Sequence, residues 1–195
     1  AVTTGTKNTL LGGLAGDAIT TGTANVAVGY GALSDNTTTN NNTAVGYNAM
    51  TDNTGSDNTA VGQSALKLNT TGGQNTAVGS LALDANTTGS NNSAVGYEAM
   101  GKLTTGTDNV AMGRAALLDT TTGAGNVAIG VEAAENTSTG NDNTAIGKHT
   151  LRANTTGGNN VAIGINALNA STTSSYQVAI GRNALLVADS ENTNV

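Results

Sequence analysis

Asn143-Thr144-Ala145-Ile146-Gly147 is one copy of a phrase that the chain restates along nearly its whole length. The same order of residue types stands at Asn25-Val26-Ala27-Val28-Gly29 and at Asn75-Thr76-Ala77-Val78-Gly79. The closing glycines are Gly12, Gly29, Gly46, Gly62, Gly79, Gly96, Gly113, Gly130, Gly147, Gly164 and Gly181. Copies follow one another every 17 residues, with a single interval of 16 between Gly46 and Gly62. A short fixed period means a quasi-one-dimensional stack of like units rather than a globule.

Three parts make one unit. The first ends in Ala-(Val/Ile/Met)-Gly, and its β-branched residues favour a pleated strand. Period-two alternation sends Ala27, Ala44, Ala60 and their equivalents to one face and Val28, Val45 and Ile129 to the other. In the first copy Leu10 takes the alanine place. The second part is Gly-x-x-Ala-Leu, as in Gly164-Ile165-Asn166-Ala167-Leu168, with Ala49-Met50 and Ala99-Met100 as variants. The third is a polar turn of the Asn-Thr-Thr-Gly type, in which Asn and Gly suit turn conformations. Its glycine recurs at Gly22, Gly72, Gly89, Gly106, Gly123, Gly140 and Gly157; the short unit has lost its residue here, before Gly55. Stretches between turn signals are too short for a stable helix. The expected fold is all-β, a parallel β-roll or β-solenoid of about eleven 17-residue coils with two short strands per coil. At about 4.8 Å per coil the rod is about 50 Å long. Ten copies begin with Asn, from Asn8 to Asn160, and Gln177 begins the last. Stacked amides predict a hydrogen-bonded ladder, side chain to side chain.

Composition limits what such a rod can do. The chain of 195 residues has no Phe, Trp, Pro or Cys and only four tyrosines. Each coil therefore buries little apolar area against its ordering entropy. A thin, marginal rod with a face of small alanines predicts a homo-oligomer, its chains side by side along that face. Net charge is −6 with 10% charged residues, and no basic patch is present to neutralise phosphates, so nucleic acid is not an expected partner. No apolar run is long enough to span a bilayer, and direct membrane insertion is not expected. The opening at Ala1 suggests an excised or processed segment.

The phrase Asn-x-Ala-(Val/Ile)-Gly-x-x-Ala resembles the head repeat of YadA-type trimeric autotransporter adhesins and is similar to related repeats in phage tail fibres. The resemblance runs from about Asn8 to Leu185. It implies a left-handed parallel β-roll, three chains about a common axis, and a place on a cell surface, attached to an outer membrane, or on a virion tail fibre. The units here are longer than the 14 residues or so common in the adhesin heads, the excess lying in the polar turn. By this reading residues 1–185 are the β-roll repeat domain, and residues 186–195 are an exit segment toward a neck or next module.

Reactive chemistry is sparse. His149 is the sole histidine and occupies a variable position, so no His triad or multi-His metal site forms within one chain. Aspartate does not recur at one repeat position as calcium-binding repeats require. No catalytic, cofactor-binding or metal-binding residues are expected, no two carboxylates are expected to share a groove, and the chain is not expected to be an enzyme. One variable position, directly after the motif glycine, holds Tyr30, Tyr47, Tyr97, Arg114, Lys148 and Arg182, a candidate receptor-contact stripe for a host or cell-surface glycan or protein. The expected role is a structural and adhesive fibre module, a trimeric rod displaying or carrying a receptor-binding surface. Two alternatives stand beside it. Stacked threonine pairs such as Thr70-Thr71 and Thr87-Thr88 point to an ice-binding solenoid. A shaft whose binding or enzymatic tip lies elsewhere is the other.

Overall fold

The structure, a computed structural model, describes residues 3–186. Eleven three-residue strands follow one another in sequence: β1 (Thr9–Leu11), β2 (Val26–Val28), β3 (Thr43–Val45), β4 (Thr59–Val61), β5 (Thr76–Val78) and β6 (Ser93–Val95). The series continues with β7 (Val110–Met112), β8 (Val127–Ile129), β9 (Thr144–Ile146), β10 (Val161–Ile163) and β11 (Val178–Ile180). They form one parallel sheet in sequence order, each strand paired with the same residues of the next coil, as Ala77 with Ala94. The molecule is a parallel β-solenoid of about ten turns with no helix among the described residues. The proposed exit segment lies outside the described residues except for Leu186.

Each coil carries one strand rather than the expected two, and backbone angles give the reason. Strand geometry ends at the motif glycine, whose φ lies between +121° and +142°. The second and fourth residues after it are left-handed in every coil, as Leu81 (φ 58°) and Leu83 (φ 52°). Alternating left-handed residues cannot continue an extended strand. The Gly-x-x-Ala-Leu segment is therefore a run of tight turns, with Ala82 N–H donating back to the Gly79 carbonyl at 3.4 Å. A third left-handed position, Gln74 or Asn91, sets the corner before the strand. These bends still bond to the next coil: Leu83 N–H donates to the Ala99 carbonyl at 3.1 Å.

The two faces of the strand are disposed opposite to the expectation. Ala27, Ala44, Ala60, Ala77, Ala94 and their equivalents are fully buried inside their own coil, packed with the second alanine column (Ala32, Ala82, Ala99) and the Leu/Met column (Leu33, Met50, Leu83, Met100). The coil is so narrow that only a methyl fits between the strand and the Ala-Leu turn. The Val, Ile and Met residues face outward instead, with Val61, Val78, Val95, Met112, Ile129, Ile163 and Ile180 all exposed. The alanine face thus lines the core of one chain and is not available to a sister chain, while the aliphatic face is the one turned outward.

Buried amides fill the rest of the interior. The backbone N–H of each leading Asn donates to the Oδ1 of the Asn one coil earlier, at 2.9–3.1 Å from Asn25 through Gln177. Its Nδ2 donates to a turn carbonyl, as Asn75 to Gly89 at 2.9 Å. Direct amide-to-amide bonds occur from Asn92 to Asn160, as Asn143 Nδ2 to Asn126 Oδ1 at 3.1 Å. The ladder is real, but its main rungs run from side chain to backbone rather than from side chain to side chain. That arrangement satisfies backbone groups that the corner leaves unpaired.

Candidate functional site

The residue after each motif glycine lies at the start of the bend, on the outer surface. The six sequence-derived positions fall in this single column along the axis. Tyr30, Tyr47 and Tyr97 are about half exposed, and Arg114, Lys148 and Arg182 are exposed as well. Tyr30 and Tyr47 occupy successive coils and stack, ring centroids 5.7 Å apart with an interplanar angle of 13°. Tyr97 stands alone, with no Tyr in the flanking coils, and hydrogen bonding to the Glu98 carboxylate pushes its hydroxyl pKa up. The column therefore presents an aromatic pair at one end and cations toward the other.

Arg114 is not a free cation. It hydrogen-bonds the Glu132 carboxylate one coil on, and Glu132 also meets His149 Nε2 at 3.1 Å and Arg152 at 3.3 Å. Arg152 Nε donates to Glu135 at 2.6 Å. The hydrogen bond from Arg114, then the nearby charges of Arg152, Arg114 and His149, hold the Glu132 carboxyl below its usual range. His149 thus takes part in a surface network with Glu132, Arg114 and Arg152. Among the described residues no group of three His, Cys, Asp or Glu side chains is placed to hold a metal ion.

A cleft in the surface was not foreseen from the sequence. It has a volume of about 190 Å³ and is lined by Leu81, Asp84, Glu98, Gly101, Lys102 and Leu118. Its origin is a missing side chain. The fifth position after the motif glycine carries Lys67, Asp84, Leu118, Glu135 and Arg152 in neighbouring coils, but Gly101 in this one. A methyl group built at Gly101 would lie 3.1 Å from Leu118 Cδ1 and 3.5 Å from Asp84 Oδ1. The expectation that no two carboxylates share a groove is corrected here, because Asp84 and Glu98 both line it. They lie 14 residues apart, and only the coil geometry brings them together. Burial, reinforced by Glu98, pushes the Asp84 carboxyl above its usual range. The sole sequence signal was the lone glycine at that position, readable as one more turn residue.

The polar turn forms a separate surface. The first threonine of each pair donates its Oγ1 to the carbonyl of its counterpart in the next coil, as Thr70 to Thr87 at 2.8 Å and Thr104 to Thr121 at 3.0 Å. The second faces solvent at Thr71, Thr88, Thr105, Thr122, Thr139 and Thr156, and Gly55 breaks the rank in the short coil.

No protein-family model, curated protein or solved structure matches the chain.

Proposed function

We propose that the chain is a structural and adhesive fibre module: a left-handed β-roll whose three copies pack about a common axis on a cell surface or a virion fibre. The observation that carries this reading is the outward aliphatic column, one branched or linear apolar side chain per coil from Leu11 to Ile180. In the later coils Val110, Val127, Val161 and Val178 widen it on the same strand face. A monomer has little reason to keep such a continuous apolar stripe in water, and larger exposed patches mark association surfaces. Packing three stripes inward buries them and thickens a core that one chain builds only from alanine, leucine, methionine and amides. The role is mechanical and adhesive rather than enzymatic, with the Tyr30–Tyr47 pair and the exposed Lys148 and Arg182 as receptor-facing groups. Binding of the labelled rod to bacterial and animal cell surfaces tests it. Retention that falls several-fold in a Tyr30→Ser/Tyr47→Ser variant supports the reading; a rod that adheres to no surface refutes the adhesive part and leaves a shaft.

A second reading, ice binding, draws on the exposed rank of second threonines at one hydroxyl per coil. Thermal hysteresis tests it directly. The break at Gly55 and the single-file geometry favour the fibre reading.

A further inference from the structure

The cleft at Gly101 has a shape and charge that specify an occupant. Its volume, about 190 Å³, lies below the roughly 300–1,000 Å³ of ordinary small-molecule pockets. It is the size of a side chain rather than of a cofactor or oligosaccharide. Leu81 and Leu118 give it apolar walls. Asp84 and Glu98 give it two carboxylates, and among the described residues neither is in an ion pair. The one cation on its lining, Lys102, is already held by Asp119 at 2.6 Å, which lifts the Lys102 pKa. Lys67 acts on Asp84 only at a distance. Lys102 and Lys67 therefore offset the cleft's charge only in part: three carboxylates, Asp84, Glu98 and Asp119, stand against two ammonium groups. None of the lining residues belongs to the outward aliphatic column, so trimer packing along that stripe does not use them.

We propose that the cleft receives a primary ammonium on a short apolar stem, the lysine side chain of a receptor protein, with the stem between Leu81 and Leu118 and the ammonium shared by Asp84 and Glu98. A flexible aliphatic stem ending in a compact charge with three donors matches a cleft that is apolar at its walls and acidic within. The compact ammonium of lysine can be shared between two carboxylates more readily than the wider planar fork of arginine. A neutral sugar satisfies hydroxyl contacts but leaves the excess negative charge in place. The site deepens the adhesive reading and rests on it, since it assigns the chemistry by which a displayed rod engages a protein surface.

The test is titration of the isotope-labelled chain with Nα-acetyl-lysine methylamide, following the amide signals of Gly101 and Lys102. Nα-acetyl-norleucine methylamide serves as the uncharged analogue and glucosamine as the amino-sugar arm. The expected result is saturable shifts at these two residues with a dissociation constant on the order of 1–10 mM. The norleucine analogue should bind at least about tenfold more weakly, as loss of a charge-assisted hydrogen bond requires. Gly101→Leu, which fills the cleft, should abolish the shifts. The near-isosteric pair Asp84→Asn/Glu98→Gln should fold and lose the preference for lysine, which keeps the test decisive if Gly101→Leu does not fold. Equal binding of lysine and norleucine, tighter binding of glucosamine, persistence in the filled variant, or no shift at all would overturn the proposal. Light scattering on the same sample separates the two claims: a trimer that ignores lysine refutes the cleft alone, and a monomer that binds lysine refutes the assembly alone.

Discussion

Leu103 stands one coil after Asn86 in the same interior column, and the buried Oδ1 of Asn86 has no hydrogen-bond donor. The column holds Asn36, Asn53, Asn69 and Asn86 in succession, bounded by Ile19 and Leu103. Asn69 Nδ2 donates to Asn53 Oδ1 and Asn86 Nδ2 to Asn69 Oδ1, each at 2.6 Å. The bonded run from Asn53 to Asn86 is directional and leaves an unpaired Oδ1 at its end, on Asn86, while Asn36, outside that run, has an unpaired Nδ2. Two further unpaired groups, Thr120 Oγ1 and Ser171 Oγ, belong to the same column.

The position of a break therefore decides its cost. Asn86→Leu only moves the boundary back by one coil, whereas Asn69→Leu removes both amide-to-amide bonds, leaving Asn53 Oδ1 with only the 3.4 Å bond from Asn58 and Asn86 Nδ2 with only the Gly89 carbonyl at 3.0 Å. Asn69→Leu should destabilise the rod by about 1 kcal/mol more than Asn86→Leu, the net worth of the one further amide bond it removes. Thermal and urea unfolding of the two variants measures the difference. Equal stability would show that the ladder contributes nothing.

The two faces of β5 predict opposite phenotypes. Ala77 is enclosed within its coil, and Ala77→Leu overfills it, costing about 1–3 kcal/mol. Val78 faces outward, and Val78→Asp should leave the fold of a single chain intact while disrupting its assembly. Circular dichroism paired with sedimentation separates loss of fold from loss of partner.

Backbone conformation can be tested at the corner before the strand. Gln74 is exposed and left-handed at φ 60°, a position the chain itself fills with Gly125 three coils further on. Gln74→Gly relieves the left-handed penalty and should raise stability by about 0.5–1 kcal/mol, net of the greater freedom of the unfolded chain. Gly79→Ala should do the reverse, since its Cβ would run into the Gly96 carbonyl. A melting temperature lowered by Gln74→Gly would contradict the strain assigned here.

Acid titration has a sign at two positions. The fold favours charged Glu132, so its contribution is present above the ordinary glutamate value of about 4.3 and is lost as pH falls through the lower folded value. The fold favours protonated Asp84, so that contribution is present below about 3.9 and is lost as pH rises through the raised folded value. At neutral pH Glu132→Gln should lower the melting temperature and Asp84→Asn should raise it, each by an effect of no more than about 1 kcal/mol at these surface sites. Both differences should shrink toward about pH 3. Shifts of the same sign at neutral pH would contradict the assignments.

The repeat, its parallel register and the place of each strand were readable from spacing alone, because one phrase with Ala between branched residues admits few geometries. What spacing could not decide is which side of Ala77-Val78 is inside. Alternation separates the two residues, but the width of the coil assigns them, and that width is set by left-handed residues such as Leu81 and Leu83. The same bends removed the second strand, since Ala-Leu pairs look extended until their φ angles are known. Asn53 and Asn69 escaped notice as a column because Leu103, Thr120 and Thr137 share it. The cleft escaped because its cause is one absent side chain, and its two carboxylates meet only across a turn of the coil.

Mass in solution tests the central claim most directly, that the outward aliphatic column is an assembly surface. Light scattering should give about three times the 19.0 kDa chain mass for the native protein. It should give the single-chain mass for a folded Val78→Asp/Ile129→Asp variant. A native protein that stays monomeric at high concentration, its stripe open to water, would contradict the account.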